Sequence, residues 1–189
     1  MKKLKEPPPT NEELSCSIDA LFIAAHQSAL FAYWRLIHKP LLGKFEELEI
    51  PEAGLYFENG IRESSLMLIR KTTEFFRPRN SSDESDSLYA YLYIPAWEGT
   101  WVVEKEIYEE LHKRIGHITV REVRNGQKEW SILSMTIKAI NQWTLFFREV
   151  GESPVFQDEP PTAKLQGYVE TLQEISGHCE KLQRRTTEL

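Results

Sequence analysis

Ionisable residues recur at helical spacing between positions 106 and 124, where the chain reads EIYEELHKRIGHITVREVR. Glu110, Arg114, His117 and Arg121 follow one another at intervals of four, three and four positions, which places them on one side of a helix. Lys113 lies one turn before His117. Histidine transfers protons near neutral pH, and neighbouring cations offset the charge of a phosphate. The pattern therefore indicates an anion or phosphate site.

An apolar stripe on the same stretch is expected to position this row. Ile107, Leu111, Ile115 and Ile118 recur at intervals of four, four and three, as in a helix that buries one face. We predict a helix over residues 101–123, followed by a tight turn at 124–127. We interpret the Asn-Gly pair in this turn as part of an αα-hairpin, because the flanking segments lack the alternation of β-strands.

His117 has two interpretations. In the first, it is a general acid–base catalyst of RNA cleavage, with Lys113, Arg114 and Arg121 as phosphate binders. The 2′-hydroxyl of RNA would then be the internal nucleophile, so no metal or other cofactor is required. In the second, His117 hydrogen-bonds across a helix interface and fixes its register, and Gly116 allows the close approach.

Other motifs narrow the chemistry. No Gly-rich phosphate loop, GxSxG or CxxC is present. His112 and His117 are five positions apart, about 140° around a helix, so we do not expect them to chelate one metal ion. We interpret His112 as exposed or interfacial and Arg62 as solvated surface, and we keep both as candidate accessory residues of the site.

Composition limits the class of protein. The chain has 189 residues and a net charge of −6, which argues against a protein that coats nucleic acid through general basicity. Cys16 and Cys179 lie near opposite ends in unrelated contexts, as expected of a protein in the reducing cytoplasm. We expect no signal peptide, because no apolar segment follows the basic residues at the N-terminus. We expect no membrane-spanning helix, because no apolar run reaches about 18 residues.

The remaining patterns predict an all-α fold, an antiparallel bundle of four to five helices with an extra C-terminal helix. Beside 101–123, the predicted helices are 11–38 capped by Asn11 and broken at Pro40, 41–48, 52–76 with Pro51 before it, 129–150 closed by Gly151, and 162–185. The stretch 88–94 fits either a short helix or a strand. We favour a helix because no second strand is evident.

Four regions follow from these boundaries. Residues 1–10 form a disordered tail, 11–151 the helical bundle, 152–161 a linker and 162–189 the last helix. The glycines of the last helix make it marginal alone, so we expect it to pack on the bundle or on a dimer mate.

Three sequence segments resemble the HEPN superfamily of helical-bundle proteins, many of which are toxins or antiviral ribonucleases. They are GIRESSLMLIRKTTEFFRP, LHKRIGHITVREV, and KEWSILSMTIKAINQWTLFF, the last similar to a subgroup related to abortive-infection proteins. The resemblance covers about residues 20–150 at the level of pattern. It implies a metal-independent endoribonuclease of a toxin–antitoxin or phage-defence system, with His117 as the catalytic histidine. The implied partners are RNA, an antitoxin or other protein, and a second copy in a homodimer with His117 near the twofold axis.

The chain departs from the family signature at one point. Active members carry an arginine with four to six residues between it and the histidine. Counting back from His117, those positions hold His112, Leu111 and Glu110, and Arg114 is too near. Either His112, Lys113 or Arg114 substitutes as the cation, or the chain is a non-catalytic module that dimerises and binds a protein or nucleotide partner.

Overall fold

The computed structural model describes residues 9–79, 87–114, 131–156 and 162–187. Within these ranges every regular element is helical, which confirms the all-α prediction. The elements are α1 (Asn11–Gln27), α2 (Leu30–Glu47), α3 (Pro51–Phe76), α4 (Ala90–Tyr93), α5 (Lys105–Arg114), α6 (Ile132–Glu149) and α7 (Thr162–Thr187), with 3₁₀ turns at Val150–Glu152 and Pro154–Phe156. The predicted tail (1–10) lies outside the described residues except for 9 and 10, and the predicted turn at 124–127 lies entirely outside them.

The first predicted helix is two helices. Ser28 and Ala29 interrupt it, and the hydroxyl of Ser28 donates to the carbonyl of Ala24, 3.0 Å away. A serine hydroxyl that bonds its own preceding turn favours a bend in the chain. The N-cap of α1 is Thr10 and not Asn11, because Thr10 and Glu13 form a reciprocal capping box.

The predicted helix break at Pro40 was wrong. α2 continues through Pro40 to Glu47, so the predicted helix at 41–48 is the end of α2. A proline inside a helix costs about 3 kcal/mol. Packing on both sides of it offsets this cost, since Trp34 lies before Pro40 and Phe45 after it, and both rings contact Phe57 of α3.

Side-chain contacts show that α6 and α7 run antiparallel. Along α6, Asn141 accepts from Ser176 at 2.8 Å, the Phe147 ring lies 5.5 Å from Tyr168, and Gly151 lies beside Leu165. As numbers rise on α6 they fall on α7. The last helix therefore packs on this chain's own bundle.

Gly151 does not cap α6 as predicted. The C-cap is Val150 in right-handed geometry, and Gly151 belongs to the following 3₁₀ turn. A Cβ at Gly151 would lie 3.1 Å from the Leu165 side chain, so the glycine permits the close approach of α7. The described part of the predicted linker also packs inward, since Ser153 and Phe156 are buried.

Two apolar clusters hold the helices. The larger joins α1, the end of α3, α4, α6 and α7 around Phe76, Trp143 and Phe146. The smaller consists of Leu66, Ile69, Val103, Leu111, Ile132 and Met135, and it fixes α5 between α3 and α6. Leu111, with the half-buried Ile107, forms the predicted apolar stripe of α5 as far as it is described. This cluster decides which face of α5 remains open.

Among the described helices, no single one is long and apolar enough to cross a membrane. Taken together, α1 and residues 30–36 of α2 have the length and composition of a membrane span, but the two segments meet at a bend of 41°.

Candidate functional site: an arginine–aromatic cleft

The predicted site residues fall only partly within the described structure. His117 and Arg121 lie outside it, as does the side chain of Arg114, the last described residue of α5. His112 and Lys113 are exposed near the end of α5. Arg62 is exposed on α3 and pairs with Glu58 at 2.9 Å, as expected for surface.

An open cleft of about 420 Å³ lies between the end of α3 and the first turns of α5. We call it the arginine–aromatic cleft. Its lining residues are Arg77, Pro78, Arg79, Trp101, Lys105, Tyr108 and Glu109. Three cations therefore face one carboxylate, and Glu109 lies 4.0 Å from Lys105. The cleft carries positive charge on a chain that is acidic as a whole.

A close backbone contact positions one wall of the cleft. Thr100 donates its N–H to the carbonyl of Phe76 at 2.7 Å, which attaches the loop before α5 to the end of α3. Gly99 has a φ of 76°, and a Cβ there would lie 2.5 Å from the Cα of Pro78. Only glycine fits this conformation and this gap without rearrangement. The contact brings Trp101 beside Arg77 and Arg79.

Aromatic rings line the cleft and continue beyond it. Trp101 lies 5.3 Å from Tyr108, and Tyr108 lies 6.3 Å from His112, both between ring centroids. On the other side, Tyr89 and Tyr91 stack at 5.3 Å with an interplanar angle of 7°. Of these rings, Trp101 and Tyr108 are half-buried at the cleft and can stack a planar ligand, whereas Tyr89 is buried.

The two arginines of the cleft lie over these tyrosines. The guanidinium of Arg77 is 5.2 Å from the centre of the Tyr89 ring, and that of Arg79 is 5.1 Å from Tyr91. Cation–π contacts of this length orient a guanidinium without neutralising it. Each guanidinium is thereby positioned over a tyrosine ring beside the cleft, and Arg77 also donates to the Tyr89 hydroxyl at 3.4 Å.

Burial raises the pKa of the Tyr108 phenol, and the carboxylate of Glu74 adds to this effect. The cations Arg77 and Arg70 act in the opposite direction more weakly. The phenol therefore keeps its proton at neutral pH and can donate a hydrogen bond to an anionic ligand.

The cleft uses a different face of α5 from the predicted row. Lys105, Tyr108 and His112 share one face, whereas Glu110 lies five positions after Lys105, about 140° around the helix. Sequence reasoning missed the cleft because its residues come from three separate segments. The available signals were the RPR sequence at 77–79 and the tyrosines at 89 and 91.

The described residues contain no group of three or more His, Cys, Asp or Glu side chains able to hold a metal ion. Cys16 is exposed and Cys179 buried, and both are free thiols. Burial raises the pKa of the Cys179 thiol to about 11, which makes it a poor nucleophile.

Comparison with known protein families, curated proteins and solved structures finds no match to this chain. The resemblance to the HEPN superfamily therefore stays a prediction from the three sequence segments.

Proposed function

We propose that this protein binds single-stranded RNA in the arginine–aromatic cleft, in the cytoplasm. The cleft itself carries the proposal, because it combines cations for phosphates with the half-buried rings of Trp101 and Tyr108 for bases. This combination suits a single strand, whose unstacked bases are free to stack on side chains. A duplex keeps its bases stacked on each other and offers none to Trp101.

The binding test uses a fluorescent oligouridylate of about 12 nucleotides, within the usual range for one binding surface. Trp101→Ala removes a ring and Arg79→Ala a charge, and each should weaken binding about 5- to 100-fold. Trp101→Phe and Arg79→Lys should keep much of the affinity. Arg148→Ala removes an exposed arginine of α6 and is the matched control. Binding that is equally strong in Trp101→Ala and Arg79→Ala would refute the cleft as the RNA site.

We further propose metal-independent cleavage of the bound RNA, with His117 as the general acid–base residue. The 2′-oxygen attacks the adjacent phosphorus, the bond from phosphorus to the 5′-oxygen breaks, and a 2′,3′-cyclic phosphate forms. His117 takes the proton of the 2′-hydroxyl, and a water molecule supplies the proton of the leaving 5′-oxygen. The protonated histidine then returns its proton to the hydroxide that remains. Lys113, Arg114 and Arg121 remain the proposed phosphate binders on the histidine helix, in a homodimer. The row of cations in the sequence and the HEPN-like sequence segments support this cleavage reaction.

The cleavage test is separate from the binding test. The pure protein is incubated with end-labelled RNA in EDTA, and cyclic-phosphate products should appear with the native chain but not with His117→Ala. His112→Ala tests whether the exposed histidine beside Tyr108 replaces the missing arginine. If RNA stays intact after long incubation, catalysis is ruled out while RNA binding still stands.

The second candidate is a non-catalytic module that dimerises and binds a protein or nucleotide partner. The missing arginine before His117 favours it, and so does the placement of the cleft on another face of α5. It predicts oligonucleotide binding without cleavage. Toxicity of the expressed protein to a host cell, relieved by His117→Ala, would count against it.

A further inference from the structure

A second surface, away from the arginine–aromatic cleft, exposes large apolar side chains. It lies where α2 ends and α3 begins, and we call it the α2–α3 tip, defined by Phe45, Leu48, Ile50, Tyr56 and Phe57. The exposed fractions are 67% for Leu48, 46% for Ile50, 75% for Tyr56 and 45% for Phe57. Single exposed apolar residues need no explanation, but a group of them around one turn indicates a contact surface.

The tip is held in place by the two helices. The ring of Phe57 lies 6.3 Å from Phe45 and 5.3 Å from the buried Trp34. Ile50 donates its N–H to the carbonyl of Phe45 at 3.0 Å, which closes the turn. The rings of Phe45 and Phe57 and the backbone at Ile50 are therefore held in place, which lowers the entropic cost of binding.

The rim of the tip is strongly acidic. Residues 44–63 contain six glutamates against Lys44 and Arg62, and Arg62 already pairs with Glu58. Glu47, Glu49 and Glu52 are all exposed beside the apolar residues. Like charges across an interface disfavour the same face of a second copy, and they repel an anionic lipid surface.

We propose that the α2–α3 tip docks a partner protein through a segment whose apolar side chains are flanked by lysine or arginine. The apolar side chains of the segment cover Leu48, Tyr56 and Phe57, and its cations meet the glutamate rim. This charge complementarity sets the choice of partner and speeds the encounter.

The test uses the full chain and a labelled amphipathic helical peptide of leucine and lysine, with a leucine–glutamate peptide as the opposite-charge probe. The first peptide should bind and the second should not. Leu48→Ser with Tyr56→Ser should weaken binding at least about tenfold. Because both side chains are largely exposed, the fold should tolerate the change. Ile23→Ser, at a site on α1 that is 55% exposed, is the matched control and should leave binding unchanged.

A second set of variants distinguishes the effect of the glutamates around the tip from the effect of the overall negative charge of the chain. Glu47→Gln with Glu52→Gln should weaken binding severalfold and reduce its salt dependence. Glu174→Gln with Glu180→Gln on α7 removes the same number of negative charges and should have little effect on binding.

Three results would overturn the proposal. The first is equal binding of the leucine–glutamate peptide, and the second is unchanged binding in the Leu48→Ser, Tyr56→Ser protein. The third is a dimer in solution that this double substitution dissociates into monomers. In the last case a second copy occupies the tip.

Discussion

At the scale of single residues, Glu49 is held in an unfavourable backbone conformation. Its φ is 57°, and the bond from the Ile50 N–H to the carbonyl of Phe45 makes it the residue after the C-cap of α2, where helices commonly have glycine. Glu49→Gly should raise the free energy of unfolding by about 1 kcal/mol, because glycine adopts this conformation without a steric penalty. Urea denaturation measures the change. Glu47→Gly, at the last helical residue of α2, should lower stability, and a loss of stability in Glu49→Gly would contradict the assignment.

A second residue, Asp19, makes the free energy of unfolding of the protein depend on pH. Its carboxylate accepts from the Lys164 ammonium at 2.7 Å and from the Tyr168 hydroxyl at 2.6 Å. The bond from Lys164, and then that from Tyr168, lowers the pKa of Asp19 below its ordinary value of 3.8. The contribution of Asp19 to stability is therefore complete above that value and is lost as the pH falls through the lower pKa of the folded protein.

Asp19→Asn should accordingly destabilise the protein slightly at neutral pH, since the three groups are exposed and screened by solvent. The stabilities of the two proteins should converge in strong acid. Urea midpoints at a series of pH values measure this. A difference that persists at the lowest pH would assign the effect to something other than the charge of Asp19.

At the scale of elements, the loop before α5 depends on Gly99. Gly99→Ala should lower the free energy of unfolding by about 2–4 kcal/mol, because a Cβ meets the Pro78 backbone and the positive φ disfavours any side chain. It should also weaken RNA binding, because Trp101 moves with the loop. Gly60→Ala is the control within α3, where a Cβ meets nothing within 4 Å, and it should stabilise the protein by up to about 1 kcal/mol.

At the scale of the whole molecule, α7 completes the larger apolar cluster. Leu172 is fully buried among the residues of this cluster. Leu172→Ala should therefore cost about 2–5 kcal/mol of unfolding free energy. Leu145→Ala, at a site on α6 that is 41% exposed, should cost much less. Urea denaturation measures both changes, and an equal cost for the two substitutions would contradict the burial of α7 against this chain's own bundle.

The helical content and the buried faces of this protein follow from local sequence. Apolar residues at helical spacing predicted α3, α6 and α7 to within a few residues of their observed ends, because each helix buries a stripe that its own sequence defines. Pro51 at the start of α3 also fits, since a proline at the first helical position loses no hydrogen bond. The histidine row was evident for the same reason, because its members are neighbours along one predicted helix.

Only the tertiary structure decided the rest. α2 passes through Pro40 because α3 supplies packing on both sides of it, and no local pattern reports that energy. The arginine–aromatic cleft joins residues from 77–79, 101 and 105–109, which are brought together by a glycine contact and a backbone hydrogen bond. Except at Pro40, local sequence determines which residues form a helix, and it determines which face of each helix is apolar. Packing between distant segments determines which polar side chains meet, because that meeting depends on contacts that helical spacing does not encode.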